Sequence, residues 1–331
     1  MRMRSLLALL LLFPLTLRAA ADEPNQPAFP LRAKRILFLG DSITHAGAYV
    51  AWIETQLRLQ GVNPLPEMIN LGLSSETCSG LSEPDHPFPR PDVHERLDRA
   101  LAKLKPDVVV ASYGMNDGIY YPFGEERFQA YQQGVKRLAD KVHKAGAKLV
   151  LMTPVPFDPT PLREKEGKLK PAGEEKYAYF AMYEDYDDVL KRYAEWIMQH
   201  PQLAEMVIDL HTPLAKAAAA GRDEDPKFTF SPDGIHPNQA GHRLMGETIL
   251  RAWGIESSTA VPDELLALVR KRTALLHDAW LSEVGHKRPG VKAGLPLEKA
   301  HAQARELDEQ IAPLVEKAQR PMARREPRAV H

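Results

Sequence analysis

A serine stands in Gly40-Asp41-Ser42-Ile43-Thr44, directly behind the apolar run Ile36-Leu37-Phe38-Leu39. Read as a strand, a tight turn and then a helix, that order puts a hydroxyl where an α/β fold exposes a nucleophile. The second glycine of the G-x-S-x-G elbow is absent, so the common α/β-hydrolase signature is not met. A turn serine that only caps the following helix would fit these five residues as well. Three more groups follow later in the chain. Gly72 lies in Asn70-Leu71-Gly72-Leu73-Ser74, and Asn116 in Gly114-Met115-Asn116-Asp117. Asp233 and His236 share Ser231-Pro232-Asp233-Gly234-Ile235-His236-Pro237-Asn238. Taken one at a time, the glycine and the asparagine read as turn residues, and Asp-x-x-His as a loop hydrogen bond.

The elements around these groups alternate. Short apolar runs at 36–39, 68–71, 107–112, 148–152 and 206–210 read as strands. Amphipathic spacing predicts helices over 49–59, 93–104, 125–144 and 183–198, with Pro106 ending the second. A short alanine run at 217–220 is helical, and Leu244, Met245 and Ile249 mark a helix after Asn238. This βα rhythm is that of a parallel sheet covered on both faces, whose ligands sit beyond the carboxyl ends of the strands. The loop 73–91 is polar, and 158–173 reads as a surface insertion or lid. The tail differs. A helix runs over 262–284 with Pro262 at its first position, a Gly/Pro-rich link covers 285–296, and a charged helix ends near Lys317, distorted by Pro313.

Composition narrows the function. The formal net charge is -1, without a basic footprint, which argues against nucleic acid as a partner. Residues 1–21 resemble a secretory signal, with Arg2 and Arg4, an apolar run and Ala19-Ala20-Ala21. That run is too short for an ordinary membrane span, and removing the leader would bring the charge to -4. Cys78 is the only cysteine, so an exported chain would have no internal disulfide and would rely on its core. No His/Cys/Asp grouping has metal-ligand spacing, so neither metal nor cofactor is expected.

The four blocks, in this order and spacing, resemble the SGNH hydrolases, also called the GDSL esterase/lipase family, over 34–254. The resemblance implies a three-layer α/β/α domain with a five-stranded parallel sheet, flavodoxin-like in winding, and here a helical C-terminal extension. With the readings above, the expected organisation is a leader at 1–21, a linker at 22–33, a hydrolase domain at 34–254, an extension at 255–319 and a disordered tail at 320–331. The family roles fall on Ser42 as nucleophile, His236 as base and Asp233 as its orienting carboxylate, in chain order Ser, Asp, His. The amides of Ser42 and Gly72 and the side chain of Asn116 would form the oxyanion hole. Physical chemistry agrees: a serine hydroxyl needs a base, the base a fixed tautomer and the oxyanion preset donors. Pro237 holds His236 out of the helical region. Asp41 and Asp117 read as turn braces, His45 as a decoy base, and His86, His211 and His286 as surface or structural residues.

The expected reaction is ester hydrolysis through an acyl-serine, by a periplasmic or extracellular enzyme. The substrate is a small-molecule or polysaccharide ester, with a carbohydrate O-acetyl ester favoured. Tyr113, Tyr120, Tyr121, Phe88, Arg90, Asp85 and Glu76 in the neighbouring loops suit a sugar better than a long acyl tail. The alternatives are a lysophospholipase or thioesterase, an acyltransferase, or a carbohydrate-binding protein without turnover. The extension would either add a packing layer or cover the site.

Overall fold

The computed structural model describes residues 28–257 and 261–319. The leader 1–21, the first half of the linker (22–27) and the tail 320–331 lie outside the described residues. From the amino end, β1 (Arg35–Gly40) leads through a one-turn helix α1 (Ser42–His45) to α2 (Ala48–Leu59) and β2 (Glu67–Asn70). Then come α3 (Val93–Leu104), β3 (Val108–Ser112), α4 (Glu125–Lys144) and β4 (Lys148–Met152). A short excursion carries β5 (Leu169–Lys170) and β6 (Met182–Tyr183), followed by α5 (Tyr186–Gln199) and β7 (Met206–Ile208). The chain continues through α6 (His211–Glu224), α7 (Gln239–Ala252), α8 (Asp263–Val284) and α9 (Leu297–Gln319).

Five strands form one parallel sheet in the order β2-β1-β3-β4-β7. Ile36, Leu37, Phe38 and Leu39 are wholly buried, as a strand covered on both faces must be. The winding reverses after β2. Right-handed crossovers therefore put α2 on one face and α3, α4 and α5 on the other, giving the three layers. The reversal lies between β1 and β3, where Gly40 pairs with Ser112, and a crevice opens beyond their carboxyl ends.

Two expectations change in detail. The turn after β1 is itself helical from Ser42, because Asp41 caps it by accepting the Ile43 N–H at 2.9 Å. The insertion after β4 is longer than 158–173 and partly ordered by the parallel pairing of β5 with β6.

The extension packs on the domain. Helix α8 lies against α2 and β2, and α9 lies along α8. Between α2, α8 and α9, Glu54 and Asp308 bind Arg58 at 2.7 and 2.8 Å and Arg272 at 3.2 and 2.9 Å. Pro313 does not stop α9, which runs on to Gln319. Pro262 caps α8 rather than opening it, while Asp263 and Glu264 sit in its first turn.

Candidate active site

The turn after β1 has room only for glycine at position 40. A Cβ there would lie 2.2 Å from Thr44 Oγ1 and 2.8 Å from the Ser112 carbonyl. This tight packing sets α1 directly on the strand end, with Ser42 as its first residue. Across the crevice, Asn238 caps α7 by accepting the Gly241 N–H at 3.0 Å, which anchors the preceding loop. Asp233 shapes that loop from within. Its Oδ1 accepts the N–H groups of Ile235 and His236 at 3.0 and 2.8 Å, and its Oδ2 takes the His236 Nδ1–H at 2.7 Å. With the proton on Nδ1, Nε2 is left to accept from the Ser42 hydroxyl, 2.8 Å away. The side chains of His236 and Asp233 remain 47% and 56% exposed, so the chain of bonds opens to solvent.

The charges follow from this geometry. Burial opposes ionisation of Asp233, but the hydrogen bonds from His236 outweigh it and hold the carboxyl at about 2. Burial likewise resists protonation of His236, and the bond and charge of Asp233, with Asp41 behind it, lift the imidazole above its ordinary 6.5. Asp41 is fully enclosed, and burial pushes it up to about 7 despite the Ile43 amide.

Asn116 joins the same crevice from the loop after β3. Its Oδ1 accepts from the Tyr120 hydroxyl at 2.9 Å, and its Nδ2 donates to the Glu76 carbonyl at 3.1 Å. An amide nitrogen has a second hydrogen, so one donor is left for a ligand.

Gly72 is elsewhere. Its N–H is given to Asn70 Oδ1 at 2.8 Å, its carbonyl accepts from His277 Nε2 at 2.9 Å, and it does not line the crevice. A Cβ at 72 would meet the His45 nitrogen at 2.2 Å, so this glycine serves the close approach of α1. Ser74 and Ser75, just after it, do line the crevice, and Ser75 has a left-handed φ of 67°. A serine in that region is uncommon and signals a constrained turn. The residue type at 75 gives no sign of this backbone, because glycine is its usual mark.

The crevice encloses about 320 Å³. Phe88, Tyr120, Tyr179 and Ile235 supply apolar wall, and Arg90, His86 and Arg288 supply polar wall. Of the loop residues expected beside the site, Phe88, Arg90 and Tyr120 are there, while Tyr113, Tyr121, Asp85 and Glu76 are not. Glu76 is buried and binds Arg96 at 2.6 Å and the Tyr113 hydroxyl at 2.6 Å, so both belong to the core. His86 lies in the wall with its ring edge-on to Phe88 and Tyr179. His45 faces away, against His277, and burial lowers it to about 4. His211 binds Asp187 at 3.1 Å, and His286 accepts the Arg288 N–H. Asp117 braces the loop after β2 by accepting from Cys78 and Ser79 at 2.8 and 2.7 Å. Among the described residues, no cluster of three His, Cys, Asp or Glu could hold a metal ion, and no helix is long and apolar enough to cross a membrane.

A family model described as GDSL-like lipase/acylhydrolase matches residues 38–244. No match to the chain was found among curated proteins. Among solved structures, the chain is similar to a gut microbial diltiazem-metabolizing enzyme at 22% identity and TM-score 0.50, over 67% of this chain and 47% of that one. The chain thus spans about half the length of that enzyme. It is similar to the acetyl xylan esterase AlAXEase at 20% identity and TM-score 0.50, over 66% of this chain and 98% of that one. An acetylxylan esterase from Geobacillus stearothermophilus, solved as a catalytic mutant, aligns at 21% identity and TM-score 0.46, over 67% of this chain and 95% of that one. At such identities the likeness concerns the fold.

Proposed function

The chain belongs to the GDSL-like lipase/acylhydrolase family, and from that premise we propose that it hydrolyses ester bonds, with Ser42 as its nucleophile and a carbohydrate O-acetyl ester as its preferred substrate. The observation that carries the reading is the bonded line Asp233–His236–Ser42, opening into a crevice of about 320 Å³. In the proposed reaction His236 Nε2 takes the proton as Ser42 Oγ attacks the ester carbon. The oxyanion is met by the Asn116 amide and the backbone N–H groups of Ser42 and Ser75, the last in place of Gly72. His236 returns the proton to the leaving alcohol, and a water activated the same way then releases acetate from the acyl-serine.

The wall supports a sugar. Phe88 and Tyr179 bring aromatic surface to the crevice, and Ser74, Ser75, Asn116 and His86 offer hydrogen-bonding groups. Tyr179 and its neighbour Phe180 are 41% and 44% exposed, so an aromatic ledge extends outward. The fold neighbour that is an acetyl xylan esterase agrees with this reading without carrying it. The leader-like pattern at 1–21 supports export, to the periplasm or medium. An acyl series on one alcohol tests the substrate. Each buried methylene gains about 0.8 kcal/mol in an apolar pocket, so a lipid site rewards chain length. We expect kcat/KM to be highest for acetyl and to fall by octanoyl. A rate that climbs from acetyl to decanoyl would replace the sugar by a lipid or thioester.

A further inference from the structure

Outside the shared domain, the link after α8 reaches back to the crevice and places Arg288 in its wall. The link is held there. Arg99 of α3 donates to the carbonyls of Val284 and Gly285 at 3.0 and 3.2 Å, and Lys103 pairs with Glu283. The Arg288 guanidinium lies over the Phe88 ring, 5.2 Å from its centre. Its Nη1 donates to the Pro289 carbonyl at 2.9 Å, while Nε is buried without a partner. No carboxylate among the described residues pairs with it.

The rest of the wall does not offset that charge. Arg90 is neutralised by Glu83, bidentate at 2.6 and 2.7 Å, with both side chains buried. No Asp or Glu among the described residues lines the crevice. One uncompensated guanidinium therefore faces the space beside Ser42, its planar fork matched to an oxyanion.

We propose that Arg288 is a specificity residue that pairs with an oxyanion on the sugar, so that the preferred ester is carried by an acidic saccharide. This rests on the carbohydrate-ester reading above. The oxyanion is a uronate carboxylate or a sulfate ester, which share the chemistry.

The test compares three acetylated sugars: galactose, galacturonate and galactose 6-sulfate, with 4-nitrophenyl acetate as a check of turnover. The wild type should favour one or both acidic sugars over galactose by about tenfold in kcat/KM, the scale of one charge-assisted hydrogen bond. The preferred acidic sugar identifies the oxyanion. Arg288→Gln should bring the ratio close to one, and Arg288→Lys should keep part of it. Because the readout is a ratio, a variant of lower overall activity still decides the matter. Equal rates on neutral and acidic sugars in the wild type would overturn the proposal and leave the carbohydrate reading standing. An acidic preference that survives Arg288→Gln would also overturn it. Cleavage of the aryl acetate with none of the three sugars would overturn both readings.

Discussion

Two loops face each other across the crevice, and they are built differently. The loop 231–238 carries Asp233 and His236 and is held by short-range bonds, Asp233 accepting from residues two and three positions on. Its working side chains are half exposed. The loop 73–91 is tied to the body by buried ion pairs, Glu76 with Arg96 and Glu83 with Arg90. Arg96 is also bonded to the Leu71 carbonyl at 2.6 Å. In the proposed reaction the first loop lets a proton move and a substrate enter, and its groups stay near water. The second must hold Ser74 and Ser75 in a fixed backbone shape, including a left-handed φ, so it is clamped from below. Proposed chemistry and scaffolding thus divide between the two sides.

That division can be broken from either side. His236→Ala should lower kcat by about four orders of magnitude or more, as loss of a triad base does elsewhere, with little change in the thermal midpoint. Glu76→Ala should do the reverse in stability. It leaves the Arg96 guanidinium buried and unpaired, at a cost of about 3–5 kcal/mol. Denaturant unfolding of both variants checks the contrast. A large stability loss in His236→Ala, or none in Glu76→Ala, would show that the two loops are not specialised in this way.

Asn116→Ala sharpens the comparison, because Asn116 touches both sides through Glu76 and the crevice. Removing one oxyanion donor should cost about 2.7–4 kcal/mol in kcat with a small effect on KM. A change confined to KM would make Asn116 a substrate contact instead.

The smallest expected effect is in pH dependence. His236 must be unprotonated to act as base, and Asp233 raises its pKa above 6.5, so kcat/KM should fall as pH drops through a midpoint above 6.5. Asp233→Asn removes the raising charge and leaves burial, which favours the neutral ring. The limb should then move to lower pH on a much reduced rate. A limb that stays in place in Asp233→Asn would assign it to another group, Asp41 first among them.

Much of this was legible in the chain, and the physical reason is locality. The strands and helices follow from apolar period and proline stops, which act over a few residues: 125–144 and 148–152 were read from sequence with the bounds that α4 and β4 have. That Ser42, Asn116, Asp233 and His236 meet at one place could be read because each stands in a short polar turn behind or before an apolar run, and the structure brings them to one crevice. What escaped depends on distant contacts or on backbone shape without its usual residue. Ser75 is left-handed without being glycine. Glu76, Glu83, Arg90 and Arg96 look like loop and helix-surface charges until they are seen paired and buried. Arg288 enters the crevice only because α8 packs along α2 and Arg99 pins the link behind it.

The most direct test of the central claim is covalent. A short alkyl fluorophosphonate, a tetrahedral mimic of the acylation step, should add once per chain and map by peptide mass to Ser42. Labelling should be fast in the wild type, lost in Ser42→Ala and slowed strongly in His236→Ala. A label on another residue, or a rate indifferent to His236, would contradict the assignment of Ser42 as a nucleophile activated by His236.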